Sequence, residues 1–178
     1  MKIIRLQIQT APLKAGGRGE RVYDPAPLQE VEALEVGPRG CFGLLGTERL
    51  MDVHHADHPQ TRNRDLANGL SLLPPSSAAK LVALYGLDPS LAGVAVHLDD
   101  ELPAGDLLVE TDGEPLRLTA VEPAPPCVEF SRFCLGLAPP SLEGVDQALR
   151  DLGDGVRGFY AVVLGSGVIR LGAAVRPV

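Results

Sequence analysis

Apolar and polar residues alternate in short runs along most of the chain, and this period of two is typical of half-buried β-strands. In the first run Ile4, Leu6 and Ile8 alternate with polar residues, so we expect these three side chains on the buried face. Further strands are predicted over residues 31–36, 70–73, 93–98, 107–110 and 116–121. Near the C-terminus, the apolar runs 158–164 and 168–175 flank a Gly-Ser-Gly link, which predicts a buried hairpin.

Two stretches have helical patterns instead. We expect Ser76 or Ser77 to cap a helix that ends near Tyr85. Its predicted apolar face consists of Ala79, Val82 and Ala83. Ser141 is expected to cap a second helix that ends at Gly153. Its apolar residues recur at helical spacing and predict a buried stripe of Leu142, Val145, Leu149 and Leu152.

Turns between the strands indicate the fold class. The Asp112-Gly113 pair predicts a tight hairpin between the strands over 107–110 and 116–121. The segment 41–49 is too rich in glycine for a regular strand, so we expect a loop that packs against the core. Many short strands with few short helices indicate a mainly β protein, a strongly bent, closed or nearly closed antiparallel β-barrel.

The length of 178 residues suits one domain, 1–178, which is large enough to bury a core without disulfides. Residues from about 11 to 30 contain three prolines and several glycines, and we expect a flexible loop there. Three cysteines, an odd number, fit free thiols better than a disulfide framework.

Charge and composition exclude several classes of partner. The net charge is −7, no run of Lys or Arg occurs, and Trp is absent, so nucleic acid and anionic membranes are poor partners. No apolar stretch approaches the ~18 to 20 residues of a transmembrane helix. Polar residues interrupt the N-terminal apolar block, which therefore does not resemble a signal peptide. We expect a cytoplasmic protein that does not bind membranes.

Cys127 lies where a predicted strand ends. Three prolines, Pro123, Pro125 and Pro126, stiffen the approach to it, and the residues that follow are free to be helical. Backbone N–H groups at the start of a helix would point near the sulfur and favour the thiolate. Cys127 is therefore a candidate reactive thiol. The alternative is a small buried hydrophobic residue, which most cysteines are.

The segment 51–65 is polar and rich in histidine. His54 and His58 have the i, i+4 spacing of a helical metal-binding pair, but Pro59 and the lack of apolar periodicity argue against a helix. Two interpretations stay open: a metal site, with Cys41 as a further ligand, or a polar loop at the surface or at the rim of a pocket.

The order of these elements and several motifs resemble the MOSC domain, the C-terminal module of molybdenum cofactor sulfurases. The resemblance runs from about Val31 to the C-terminus and suggests a divergent stand-alone member. The matching stretches are Gly43–Arg49, Leu70–Gly86, Leu102–Glu110, Pro126-Cys127 and Arg157–Gly172. The last of them is similar to the glycine-containing hairpin with which the family closes.

The resemblance implies a bent β-barrel of the kind also found in pyruvate kinase. Cys127 occupies the position of the family's key cysteine, which is proposed either to carry a persulfide or to coordinate molybdenum of a bound pterin. The implied cofactor is the molybdenum cofactor (molybdopterin), and the implied partner is a cysteine desulfurase or a redox protein. If the chain is an enzyme, it resembles a molybdenum-dependent oxidoreductase or a sulfur transferase. Cys41 and Cys134 match no family position and are expected to pack in the core, with Cys134 as a candidate resolving thiol.

The resemblance also directs attention to an anion-binding rim. We predict that Arg49, His54, His55 and Arg62 bind the phosphate of the pterin. Three features depart from the family: Thr47-Glu48 stands where it has Gly-Asp, its Asn before the central hairpin is replaced, and Gly172-Ala173 stands where it closes with Gly-Asp. The alternative function is therefore a non-catalytic MOSC-like binding or sulfur-carrier module that has lost cofactor binding.

Overall fold

The computed structural model describes residues 1–17, 21–61, 69–136 and 141–178. These residues form a mainly β structure with three short α-helices. The strands are β1 (Ile3–Gln9), β2 (Lys14–Ala15), β3 (Val22–Tyr23), β4 (Leu28–Glu30), β5 (Ala33–Gly37), β6 (Gly40–Leu45), β7 (Glu48–Met51), β8 (Leu70–Leu73), β9 (Val96–Leu98), β10 (Leu107–Val109), β11 (Leu116–Pro123), β12 (Phe159–Leu164), β13 (Gly167–Arg170) and β14 (Val175–Pro177). The helices are α1 (Pro75–Tyr85), α2 (Val128–Cys134) and α3 (Leu142–Asp151), with a 3₁₀ turn over Pro89–Ala92.

The described strands form three sheets. The largest has eight strands in the order β14-β10-β11-β12-β8-β9-β1-β4, the second has the order β13-β5-β6-β7, and β2 pairs with β3. The hairpin predicted at Asp112-Gly113 is confirmed, because β10 and β11 pair antiparallel with Leu107 opposite Leu118, but the longer connection 110–115 replaces the predicted tight turn.

The eight-stranded sheet is mixed, which corrects the expectation of a purely antiparallel one. β8 and β9 run parallel, with Leu72 opposite Val96. Parallel neighbours need a crossover connection, and α1 and the 3₁₀ turn provide it between these two strands. The helical pattern was visible in the sequence, but the pairing of the strands on either side of it was not.

Residues at the two ends of the chain are hydrogen-bonded to each other. The N–H of Ile3 donates to the carbonyl of Ala173 over 3.1 Å, and the N–H of Gly172 donates to the carbonyl of Ile3 over 2.8 Å. Lys2 and Ala174 form an antiparallel bridge. These bonds join the start of β1 to the segment that leads into β14, at the far edge of the eight-stranded sheet.

The first strand contains a bulge that the alternation did not predict. Its register with β9 shifts between Ile3 and Arg5. An extra residue in a strand changes which side chains face the core. As a result Ile3 is buried and Ile4 is exposed, whereas Leu6 and Ile8 are buried as predicted.

A hairpin of β6 and β7 replaces the loop predicted over 41–49. Gly43, in the middle of β6, lies against Val31 and Ile8, and a Cβ at this position would come within 2.7 Å of Val31 Cγ1. Glycine therefore allows β6 to approach the core closely instead of interrupting the strand. The prediction was wrong because it counted glycine only as a strand breaker.

The two C-terminal apolar runs are strands but do not form a hairpin with each other. β12 pairs with β11 and β8 in the eight-stranded sheet, while β13 pairs with β5 in the four-stranded sheet. The link Gly165-Ser166-Gly167 thus carries the chain from one sheet to the other. Val163 and Ile169 are buried in the same core cluster, which explains why both runs are equally apolar.

Helix α1 is confirmed, but its cap and its buried face differ from the prediction. Pro74 occupies the N-cap position, and the buried residues are Ser77 and Leu81. Val82 is exposed. The hydroxyl of Ser77 donates to the carbonyl of Gly155 over 2.6 Å, so this serine connects α1 to the rest of the fold and does not cap it.

Helix α3 is confirmed together with its cap. Ser141 accepts a hydrogen bond from the N–H of Gly144 over 3.1 Å. Val145 and the C-cap residue Leu152 are buried as expected. Leu142 is 81% exposed, because the first residue of the helix lies away from the packed face.

The range 11–30, predicted to be a flexible loop, contains β2, β3 and β4. Leu13 and Tyr23 are buried in a cluster with Phe130 from α2. The flexibility of this range and the single-domain organisation stay predictions. Within the described ranges, no helix has the length and apolar character needed to span a membrane.

Candidate functional site

A cavity of about 390 Å³ lies beside the eight-stranded sheet, a volume within the range of small-molecule sites. Its wall combines residues 7–9 of β1, 12–14, 52–54, 69–71, 93–95 and 125–127 with Tyr23, Arg157 and Tyr160. These segments are distant in sequence, so no single motif contains the site.

Cys127 lines this cavity at the N-cap position of α2, a helix in residues that the sequence had only left free to be helical. Its carbonyl accepts hydrogen bonds from the N–H and the hydroxyl of Ser131, over 2.9 and 3.0 Å. On the other side, the N–H of Ala124 donates to the carbonyl of Gly158 over 2.9 Å. The partly exposed thiol is therefore carried by a backbone that is anchored before and after it.

The other two thiols are buried. Cys41, which also lines the cavity, is 5% exposed, and burial raises its pKa well above the usual value. Cys134 is 8% exposed, and burial raises its pKa to about 12. Both are consequently kept protonated, as expected for packing residues.

Cys134 does not suit the resolving role considered for it. It lies seven positions after Cys127 along α2. At a rise of 1.5 Å per residue this separation is about 10 Å, whereas a disulfide requires Cα atoms within about 7 Å. A bond between these two sulfurs would need α2 to unfold.

Two cationic side chains line the cavity that the sequence did not suggest as site residues. Arg157 donates from Nη1 to the carbonyl of Pro125 over 2.8 Å, and its guanidinium lies 5.5 Å from the ring centroid of Phe130. Lys14 Nζ lies 3.4 Å from a carboxylate oxygen of Glu129. The described lining thus contains two cations and one carboxylate, in a chain whose net charge is −7.

The position of Arg157 depends on the glycine after it. Gly158 has φ +96°, and a Cβ there would come within 2.7 Å of the carbonyl oxygen of Leu72. Only glycine fits this turn, which brings Arg157 opposite the proline-rich approach to Cys127. The Arg-Gly pair before an apolar strand is the sequence signal for this position.

Asp52 and His54 form a hydrogen-bonded pair on the wall of the same cavity. Asp52 is 5% exposed, and one of its carboxylate oxygens lies 2.9 Å from His54 Nδ1. That oxygen also accepts from the N–H of His54 over 2.8 Å, while the second accepts from the N–H of Gln9 over 2.7 Å. The carboxylate is thereby held by two backbone donors and orients the imidazole. The sequence suggested His54 but not Asp52.

The remaining predicted rim residues are placed elsewhere. Arg49 pairs with Glu35 over 2.8 and 3.0 Å and lies 3.3 Å from the ring centroid of Phe42, and this hydrogen bonding lowers the pKa of Glu35. His55 is buried with its ring 4.6 Å from that of Phe42, and burial lowers its pKa. Neither residue lines the cavity. Arg62 lies outside the described residues.

A metal site was the other interpretation of the histidine-rich segment. Residues 52–61 form turns and not a helix, so His54 and His58 do not share a helical face. Within the parts of the chain that the structure describes, no group of three His, Cys, Asp or Glu side chains is arranged to hold a metal ion.

Comparison with known proteins gives the fold type. No protein-family model and no curated protein matches the chain. The crystal structure of the YuaD protein from Bacillus subtilis is similar with a TM-score of 0.60, at 13% identity, over 98% of this chain and 93% of that one. YiiM from Geobacillus stearothermophilus is similar with a TM-score of 0.55, at 18% identity, over 99% of this chain and 74% of that one. Both are MOSC-domain-like proteins, so the chain has a MOSC-type fold.

Proposed function

We propose that this protein handles sulfur or the molybdenum cofactor, with Cys127 as the thiol that carries a persulfide or ligates molybdenum. The observation that carries the proposal is the contrast between the three cysteines. Cys127 is partly exposed at a cavity wall, whereas Cys41 and Cys134 are buried. Persulfide transfer and metal ligation both need a thiol that a ligand can reach and that can lose its proton.

The MOSC-type fold supports this choice by analogy, which is weaker support than the site itself. We also infer that the eight-stranded sheet closes into the barrel that the sequence predicted. The hydrogen bonds between residues 1–3 and 172–175 favour closure, since they connect strands near opposite edges of that sheet. A closed sheet would hold the cavity wall rigidly, because it leaves no free edge there.

The cavity is compatible with a pterin cofactor in volume and in donor chemistry. Cys127 would be the ligand to molybdenum, and Arg157 and Lys14 would bind the phosphate. When bound, molybdenum would supply two-electron redox chemistry. The side chains of Gln7 and Gln9 already donate to backbone carbonyls, Gln7 to Ser90 and Val94 and Gln9 to Gly93, so they would orient the wall and not the pterin.

Sulfur loading of Cys127 is the direct test. After incubation with a cysteine desulfurase and cysteine, we expect the intact mass of the wild type to increase by one sulfur atom. Cys127→Ala should show no increase, and Cys134→Ala, a matched change of a buried thiol on the same helix, should load as the wild type does. An adduct that persists in Cys127→Ala, or that is lost only in Cys134→Ala, would contradict the proposal.

Cofactor binding is tested separately, on protein purified anaerobically from a host that makes the molybdenum cofactor. Molybdenum and pterin fluorescence in the wild type, with molybdenum lost in Cys127→Ser, would support the cofactor function. If neither molybdenum nor pterin is found and sulfur loading occurs, the protein is a sulfur carrier.

The alternative, a non-catalytic MOSC-like module, is favoured by the placement of Arg49. Arg49 is hydrogen-bonded to Glu35 and stacks on Phe42, away from the cavity. Because neither Arg49 nor His55 lines the cavity, their position does not support the predicted role in phosphate binding. Absence of both a sulfur adduct and a bound cofactor would favour this alternative.

A further inference from the structure

We propose that His54, oriented by Asp52, transfers the proton that Cys127 must release and the sulfur donor must receive. The inference rests on the proposed function and assigns a second pair of residues to the same cavity. Asp52 is a positioning residue, and His54 is the group that exchanges the proton.

The geometry of the Asp52–His54 pair supports this role. A buried carboxylate fixed by the backbone N–H groups of Gln9 and His54 has little freedom to turn. Its 2.9 Å contact with Nδ1 favours the tautomer in which Nδ1 carries the proton, so that Nε2 is the basic nitrogen. A carboxylate that orients an imidazole in this way is the arrangement found where histidine acts as a general base.

Cys127 and His54 line the same cavity, although they come from segments more than 70 residues apart along the sequence. Proton transfer between them would pass through a ligand or water held in this cavity of about 390 Å³. Asp52 is the only carboxylate among its described lining residues, and it contacts His54 there.

The proposed step transfers a sulfane sulfur atom to Cys127 from a persulfide donor, R–S–SH. Cys127 gives its thiol proton to His54, and its sulfur attacks the terminal sulfur of the donor. The new sulfur–sulfur bond forms on Cys127 while the R–S–S bond of the donor breaks, and the electron pair leaves with the R–S sulfur. His54 returns the proton to that sulfur, which yields R–SH and a persulfide on Cys127. No external oxidant or reductant is consumed.

The experiment uses the full chain, with glutathione persulfide as donor and intact mass as the readout. We expect His54→Gln to slow sulfur uptake by Cys127 about 10- to 100-fold. Asp52→Asn should slow it about 10-fold, because an amide can donate to Nδ1 and favours the other tautomer. His58→Gln changes a histidine of the same segment that does not line the cavity, and it should react as the wild type does. Added imidazole should restore the rate of His54→Ala, which a purely structural role would not predict.

A second readout does not depend on sulfur transfer. The rate of Cys127 alkylation by iodoacetamide at neutral pH, followed on its peptide by mass spectrometry, should fall about 10-fold in His54→Gln and stay unchanged in His58→Gln. Near-UV circular dichroism confirms that each variant is folded. If the wild type takes up sulfur and His54→Gln does so equally fast, the inference fails and the proposed function stands. If the wild type takes up no sulfur, the sulfur-carrier form of the proposed function fails, and the alkylation rate alone decides whether His54 acts on Cys127.

Discussion

The eight-stranded and four-stranded sheets carry similar residues but use them differently. On the four-stranded sheet, Arg49 of β7 pairs with Glu35 of β5 and stacks on Phe42 of β6. Beside the eight-stranded sheet, Arg157 donates to a backbone carbonyl at the cavity and has no carboxylate partner among the described residues. An arginine is therefore available to a ligand where the neighbouring strands supply no carboxylate. Which strands are neighbours, and not the residue type, decides this.

The two sheets also differ in how tightly they constrain a glycine with positive φ. Gly158, before β12, has φ +96° and a Cβ site 2.7 Å from the carbonyl oxygen of Leu72. Gly46, in the β6–β7 turn, has φ +56° and open space around it. The first position combines backbone strain with a steric clash, whereas the second has the strain alone.

The largest expected effect is that of Gly158→Ala. We expect it to lower the free energy of unfolding by about 3 kcal/mol, and Gly46→Ala by about 1 kcal/mol. Urea denaturation measures both changes. Equal losses for the two variants would show that the contact with Leu72 does not constrain the turn.

A second difference concerns the buried histidine beside each sheet. His97 of β9 is 7% exposed, and its buried Nε2 has no hydrogen-bond partner within the described ranges. Burial, reinforced by the charge of Arg5 and opposed by a hydrogen bond with the backbone of Val94 and by the charge of Asp88, lowers its pKa from 6.5 to about 4. His55, against the four-stranded sheet, accepts a hydrogen bond at Nδ1 from the N–H of Asp57 over 3.2 Å.

His97 should make stability depend on pH. Between pH 6.5 and about 4 the unfolded state binds a proton that the folded state does not, so stability rises with pH in this window and is lost as pH falls through it. The loss amounts to about 3 kcal/mol. Urea unfolding at several pH values should show it in the wild type and in His55→Gln, but not in His97→Gln. An unchanged slope in His97→Gln would mean that another group is responsible.

The smallest expected effect compares the two arginines. Arg157→Gln should lower the rate at which anionic iodoacetate alkylates Cys127, relative to neutral iodoacetamide, by about fivefold at low salt. Arg49→Gln should leave this ratio unchanged, because Arg49 does not line the cavity. The ratio is measured on the Cys127 peptide. A changed ratio in Arg49→Gln, or an unchanged ratio in Arg157→Gln, would contradict the conclusion that Arg157 and not Arg49 acts on ligands in the cavity.

Much of the secondary structure was predictable because its causes are local. The hairpin at Asp112-Gly113 and the cap at Ser141 depend on residues within a few positions of one another. The failures involve contacts between distant segments. Gly43 forms a strand because Val31 and Ile8 lie against it, and Ile4 is exposed because β9 imposes a bulge on β1.

The candidate site divides in the same way. Cys127 and His54 were suggested by their local surroundings, and both line the cavity. Asp52, Lys14 and Arg157 were missed, because nothing near them in the chain indicates what they face. The localisation, the cofactor and the partner protein inferred from the sequence stay predictions.

The sequence by itself determined the mainly β character, the local turns and caps, and the presence of a cysteine after a proline-rich approach. Only the tertiary structure decided which strands are neighbours, which arginine borders the cavity, and that a buried carboxylate orients a histidine there. The physical reason is that propensities and capping act over a few residues, while burial, ion pairing and close packing depend on groups brought together from distant parts of the chain.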